Sequence, residues 1–155
     1  MGRLRVPVGR LKEGQCGPAS LRIAAEYLGV AADEAKLTKK LYDPEWGTDG
    51  NAMLEGVAML GLHGMWLQNM SLDTLVKMVK LKDYQVILSW MSGENYKEDG
   101  HYSVLVDASN DNIILADPEW IGSIKIMDRK KFEEVWFDLD TEGNVEARWA
   151  LVINK

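Results

Sequence analysis

The apolar residues of this chain change period midway, and that change limits the fold more than any other feature. Leu21, Ala24, Ala25 and Leu28 recur at i, i+3, i+4 and i+7, the stripe of a helix with one buried face. Leu72, Leu75, Val76 and Val79 repeat the pattern behind Ser71, a cap residue. The spacing predicts helices from Cys16 to Leu28, over 32–41, over 51–60 and after Ser71. Gly29 and Gly61 serve as left-handed stops, and Asn51 as a cap. Gly56, inside the third helix, costs about 1 kcal/mol against Ala and predicts a close neighbour. From residue 86 the pattern turns to strands. Residues 86–90 form a near-continuous apolar run, read as a central strand. Further strands are expected over 3–8, 63–68, 101–106, 112–116, 123–127 and 148–153. Asp128 should cap a short helix carrying Phe132 and Trp136. Helices first and strands later predict a single α+β domain over 1–155, with N-terminal helices packed on a mainly antiparallel sheet.

Composition removes several function classes. Of 155 residues, 46% are hydrophobic and 27% charged, too apolar a mix for a disordered chain. The net charge of -6 argues against nucleic acid and against an anionic membrane surface as partners. No apolar run approaches the length of a membrane span, so no membrane insertion is expected. The N-terminus has basic residues but no apolar stretch behind them, unlike a signal peptide. No phosphate-binding Gly-x-x-x-x-Gly-Lys-Ser/Thr loop occurs. A single cysteine forms no intramolecular disulfide, which points to a reducing compartment and a cytoplasmic location.

Three residues are candidates for chemistry. Cys16 opens the first helix in Gln15-Cys16-Gly17-Pro18, where the helix terminus stabilises an anion. By position alone it reads either as a nucleophile or as a small buried hydrophobe. His101 begins a strand after a long polar loop, a common place for a catalytic side chain. Asp117 completes the set if residues 101–107 and 111–117 form a hairpin centred on Ser109. His101 then faces Asp117 across the ladder. A carboxylate there can take the imidazole Nδ1–H and fix its tautomer. Otherwise Asp117-Pro118 is only a turn.

Taken together, these blocks resemble a known family. Gln-Cys-Gly-Pro-Ala-Ser-Leu, then His-Tyr-Ser-Val-Leu-Val, then Asp-Pro sixteen residues after the histidine, are similar to the bacteriocin-processing peptidases. These are papain-like cysteine peptidases that trim double-glycine leader peptides, with stand-alone relatives. The segment 47–62 and the Phe132-Glu-Glu-Val-Trp136 block are also similar. The resemblance implies a papain-like fold, Cys16 as nucleophile, His101 as general base and Asp117 as its orienter. One departure concerns the family's glutamine, five or six residues before the cysteine, which lends its amide to the oxyanion hole. Arg10 and Leu11 stand there. Gln15 and Arg10 are the candidate replacements.

Other features weigh less. Cys16, His63, His101 and Asp117 lack metal-ligand spacing, and the calcium-like start at Asp138 has Trp149 where a bidentate Glu is needed. No metal or other cofactor is expected. Trp46 and Trp120, each in the tetrapeptide Asp-Pro-Glu-Trp, are candidates to line a groove for an extended peptide. Glu94, Glu98 and Asp99 before His101 read either as a solvated loop or as an acidic lip that selects basic side chains. The expected function is hydrolysis of a peptide or isopeptide bond in a peptide or protein substrate. A non-catalytic peptide-binding module and a cysteine transferase or deamidase are the alternatives on this fold.

Overall fold

The structure is a computed structural model that describes residues 16–45, 47–92, 100–118, 124–140 and 142–155. Three helices come first: α1 (Cys16–Tyr27), α2 (Glu34–Leu41) and α3 (Gly50–Met59). Strand β1 (His63–Leu67) and helix α4 (Leu72–Val79) precede β2 (Tyr84–Met91), β3 (Gly100–Ala108), β4 (Asn112–Ala116) and β5 (Ile124–Asp128). Helix α5 (Arg129–Val135), β6 (Phe137–Leu139), β7 (Val145–Ala147) and β8 (Ala150–Asn154) follow. The main sheet has the order β1-β8-β2-β3-β4-β5, and each of its strand pairs is antiparallel.

Helices cover both faces of this sheet. On one face α1, α2 and α3 bury Leu21, Leu37 and Met53 with Ile87, Val104 and Leu151. On the other, α4 and α5 bury Leu75 and Phe132 with Leu88, Leu105 and Val152. Neither face of the central strands meets water, which is why 86–90 has no polar alternation beyond Ser89. Helix α1 is buried continuously from Cys16 to Ala25. It is thus a central helix, buried as its stripe predicts.

The helix ends follow local chemistry. Gly29 has φ +77°. Beside it, Val30 N–H reaches Ala25 O at 2.9 Å and Gly29 N–H reaches Glu26 O at 3.0 Å, the paired bonds of a left-handed stop. Gly61 repeats this with φ +70°. The cap of α3 is Asp49 and not Asn51: its Oδ1 accepts from Ala52 N–H at 2.8 Å. Ser71 holds the cap position of α4 without a side-chain bond. Asp128 caps α5 through Lys131 N–H at 2.9 Å.

Sequence periodicity missed β6 and β7, a separate two-stranded sheet. Three residues are too few to display alternation. The acidic stretch between them is a turn, in which Asp140 Oδ1 accepts from Glu142 and Asn144 N–H at 2.9 and 2.8 Å. The strand expected over 3–8 lies outside the described residues. Among the described residues no helix is long and apolar enough to cross a membrane.

Candidate active site

Cys16 is the first residue of α1 and is only 8% exposed. Pro18 fits the first helical turn because its missing N–H has no partner to lose there. Gly17 leaves room for the segment before α3: a Cβ at position 17 would lie 2.8 Å from Thr48 Cβ. Thr48 in turn holds β3, because its carbonyl accepts from Tyr102 Oη–H at 2.7 Å. Ser20 Oγ–H donates to Tyr102 O at 3.2 Å. Burial first, then nearby acidic groups, raises the Tyr102 hydroxyl well above its usual range, so it stays a donor. Tyr102 therefore clamps the start of α1 against β3, next to His101.

His101 is the second residue of β3 and is 3% exposed, and Asp117 follows β4 at 2%. His101 Nε2 lies 2.8 Å from Asp117 Oδ1. The Cys16 sulfur is the imidazole's other hydrogen-bond partner. With Nε2 engaged by Asp117, Nδ1 is the nitrogen left for the sulfur. Burial alone would lower the His101 pKa. The bond to Asp117 and the bond to Cys16 outweigh it and raise the pKa from 6.5 to about 10.

Cys16, His101 and Asp117 thus converge from α1, β3 and the end of β4, although not by the expected register. Ala108 pairs with Ile113 and Asp107 with Ile114, then a bulge intervenes, and Leu105 pairs with Leu115 and Val104 with Ala116. Asp117 comes to lie beside Ser103, two residues from His101, and bonds His101 diagonally. Two features moved the register. The turn spans 109–112, where Ser109 Oγ accepts from Asn112 N–H at 3.1 Å and Ser109 N–H reaches Asn112 O at 2.8 Å. The bulge falls between Leu105 and Asp107. The ring nitrogen facing Asp117 is also Nε2 and not Nδ1.

Several supporting residues escaped the sequence reading. Trp90 Nε1–H donates to Ser103 Oγ at 3.1 Å, and Ser103 Oγ–H donates to Asp117 Oδ2 at 3.1 Å. The Trp90 ring meets the His101 ring edge-on, with centroids 5.4 Å apart. Period-two alternation around His101 was the available signal, since residues 101 and 103 share a face. His63, on edge strand β1, is separated from β3 by β8 and β2. Gln15, Arg10, Trp46, Trp120, Glu94, Glu98 and Asp99 lie outside the described residues.

Comparison with known proteins places this arrangement in context. The peptidase domain of Streptococcus ComA, a bifunctional ABC transporter involved in a quorum-sensing pathway, superposes with a TM-score of 0.73. It shares 23% identity, over 99% of this chain and 98% of that one. A C39-like peptidase from Bacillus anthracis gives 0.74 at 18% identity, over 97% and 94% of the two chains. A double-glycine-motif protease from an AMS/PCAT transporter, solved with its leader peptide, gives 0.68 at 18% identity, over 99% and 94%. These likenesses establish the papain-like cysteine peptidase fold. In sequence, an uncharacterized protein of Methanothermobacter marburgensis is 28% identical over 111 residues, 72% of this chain and 69% of that protein. The family model of the Peptidase C39 family matches residues 7–139, and the chain belongs to that family.

Proposed function

We propose that the chain is a cysteine peptidase that hydrolyses a peptide or isopeptide bond through Cys16, His101 and Asp117. The observation that carries this reading is one buried imidazole bonded on one side to Asp117 at 2.8 Å and on the other to the only sulfur of a cysteine in the chain.

The chemistry runs in two stages. The Cys16 thiolate attacks the substrate carbonyl carbon while His101 holds the thiol proton. The tetrahedral oxyanion takes the Cys16 backbone N–H and a side-chain donor, with Gln15 first choice and Arg10 second. The C–N bond breaks, His101 Nδ1 gives its proton to the leaving amine, and an acyl-Cys16 thioester remains. His101 then takes a proton from water as the hydroxide forms its bond to the acyl carbon. The C–S bond breaks and the thiolate returns to its pair with imidazolium. Asp117 stays ionised throughout, holding Nε2–H and opposing the imidazolium charge.

The substrate is an extended peptide or protein segment, with Trp46 and Trp120 as candidate groove residues. A cytoplasmic site of action keeps the lone thiol reduced.

Two measurements test the reading. Iodoacetamide should modify Cys16 rapidly near pH 6 in the wild type, and that reactivity should vanish in His101→Ala. A thioester or activated amide should leave an acyl-Cys16 adduct visible by mass spectrometry. Slow alkylation rising only above pH 8 in both proteins, with no adduct, would replace the peptidase with a peptide-binding module.

A further inference from the structure

Asp117 has two oxygens, and the donors that reach them come from different places. Oδ1 faces His101 Nε2 at 2.8 Å and Oδ2 faces Ser103 Oγ at 3.1 Å. Ser103 has a single hydroxyl proton, and Trp90 Nε1 lies 3.1 Å from the same oxygen. An indole nitrogen donates and never accepts. The Ser103 oxygen must therefore accept from Trp90, which leaves its own proton free to point only at Asp117. Ser103 is fully buried and Trp90 is 2% exposed, so water does not readily substitute for either partner.

We infer that Trp90 and Ser103 are positioning residues: the one-way donor chain Trp90 Nε1–H to Ser103 Oγ–H to Asp117 holds Asp117 as a pure acceptor and thereby sets the orientation of the His101 ring, Nε2–H toward Asp117 and Nδ1 toward Cys16. An ionised Asp117 accepts on both oxygens and has no proton to offer on Oδ1, so His101 is the donor there. If the Ser103 proton turned away, Asp117 would lose a hydrogen bond to its charged form and bind a proton more readily. Its hold on the His101 Nε2–H would then weaken, and Nδ1 would be aimed less firmly at the Cys16 sulfur. Both hydrogen bonds act through Asp117, and the inference rests on the triad proposed above.

The arrangement makes a sharp prediction about non-additivity, because the Trp90 N–H acts only through Ser103. Trp90→Phe keeps the ring that packs on Phe132 and His101 and removes only the donor. It should lower kcat about threefold with KM unchanged. Ser103→Ala should lower kcat about tenfold, again with KM unchanged, and should move the acid limb of the kcat/KM profile to higher pH. In the Ser103→Ala background, Trp90→Phe should cost nothing further. A packing role for Trp90 would cost the same in both backgrounds and would leave the pH profile in place.

Imidazole nitrogen NMR on the full chain supplies a readout that needs no turnover. With only two histidines, His63 and His101, the signals are readily assigned. The wild type should show His101 protonated on Nε2 with a strongly hydrogen-bonded proton, weakened in Trp90→Phe and more so in Ser103→Ala. Additive kinetic losses, or His101 signals identical in all three proteins, overturn the donor chain even if the enzyme is active. A wild type with no acyl-Cys16 adduct but with these His101 changes overturns the triad and leaves the donor chain standing.

Discussion

His101 Nε2 lies 2.8 Å from Asp117 Oδ1, and both side chains are almost wholly shielded from water. The contact is diagonal on the β3–β4 ladder, because Asp117 stands beside Ser103. Asp117→Asn keeps the size of the side chain but not its chemistry. Its amide has one oxygen and one N–H₂, so it cannot accept from Ser103 and His101 on separate oxygens as the carboxylate does. The variant should lose about 10²–10⁴ in kcat/KM while still folding. Steady-state kinetics on an activated ester, with unfolding followed by circular dichroism, measures both effects.

The raised pKa of His101 has a consequence for stability. A group protonated more readily in the folded state stabilises the fold fully below its unfolded pKa, near 6.5, and that contribution is lost as pH rises toward about 10. The unfolding free energy of wild type over His101→Gln should therefore be greatest at pH 6 and below, and should shrink steadily between pH 6.5 and 10. Denaturant titrations at half-unit pH intervals check this. A difference that grows over that interval would reverse the assignment of charge.

Two glycines make opposite predictions. A Cβ at Gly56 would come within 2.6 Å of both Leu21 Cδ1 and Leu41 Cδ1, so the α1–α2–α3 contact is built on its absence. Gly56→Ala should lower stability by about 1–3 kcal/mol despite the better helix propensity of Ala, with kcat unchanged in the folded fraction. Gly17→Ala meets the branched Thr48 at 2.8 Å, next to Cys16. It should cost about tenfold or more in kcat/KM through displacement of the thiol. Thermal melts and kinetics on both variants separate packing from positioning.

The oxyanion donor is open to direct substitution. A side-chain donor contributes about 10²–10³ in rate. Gln15→Ala should therefore reduce acylation of Cys16 by at least about tenfold, with Arg10→Ala the second choice. Acyl-adduct formation followed by mass spectrometry in the two single variants decides between them. Equal rates in wild type and both variants would leave the backbone N–H of Cys16 as the donor.

Much of the fold was legible because short-range chemistry decided it. The stripe at Leu21, Ala24, Ala25 and Leu28, the stops at Gly29 and Gly61 and the apolar run at 86–90 each depend on neighbours a few residues away. Cys16, His101 and Asp117 stood out for the same reason, each at the edge of a strongly patterned element. The caps show where this fails: Asp49 and Asn51 are both good cap residues, and only the packed start of α3 selects Asp49. Asp-Pro-Glu-Trp makes the point more strongly. At 43–46 its aspartate sits in a tight turn, bridged to Gly47 at 2.7 Å, with its own Oδ1 accepting from Glu45 N–H. At 117–120 the same aspartate is buried against His101 and Ser103.

The sequence by itself determined which residues are candidates for the chemistry and which elements hold them, because residue type and local period need no partner to be read. Only the tertiary structure decided which way those residues face. The turn over 109–112 starts the β3–β4 ladder in a register that, extended unbroken, would set Val104 and not Ser103 opposite Asp117. The bulge between Leu105 and Asp107 inserts one residue into β3 and turns Ser103 and His101 to the face that Asp117 shares with Ile113 and Leu115 along β4. A one-residue shift exchanges the two faces of a strand. Its position depends on how two strands, a turn and the helices on both sides fit together, and no window along the chain contains all of them.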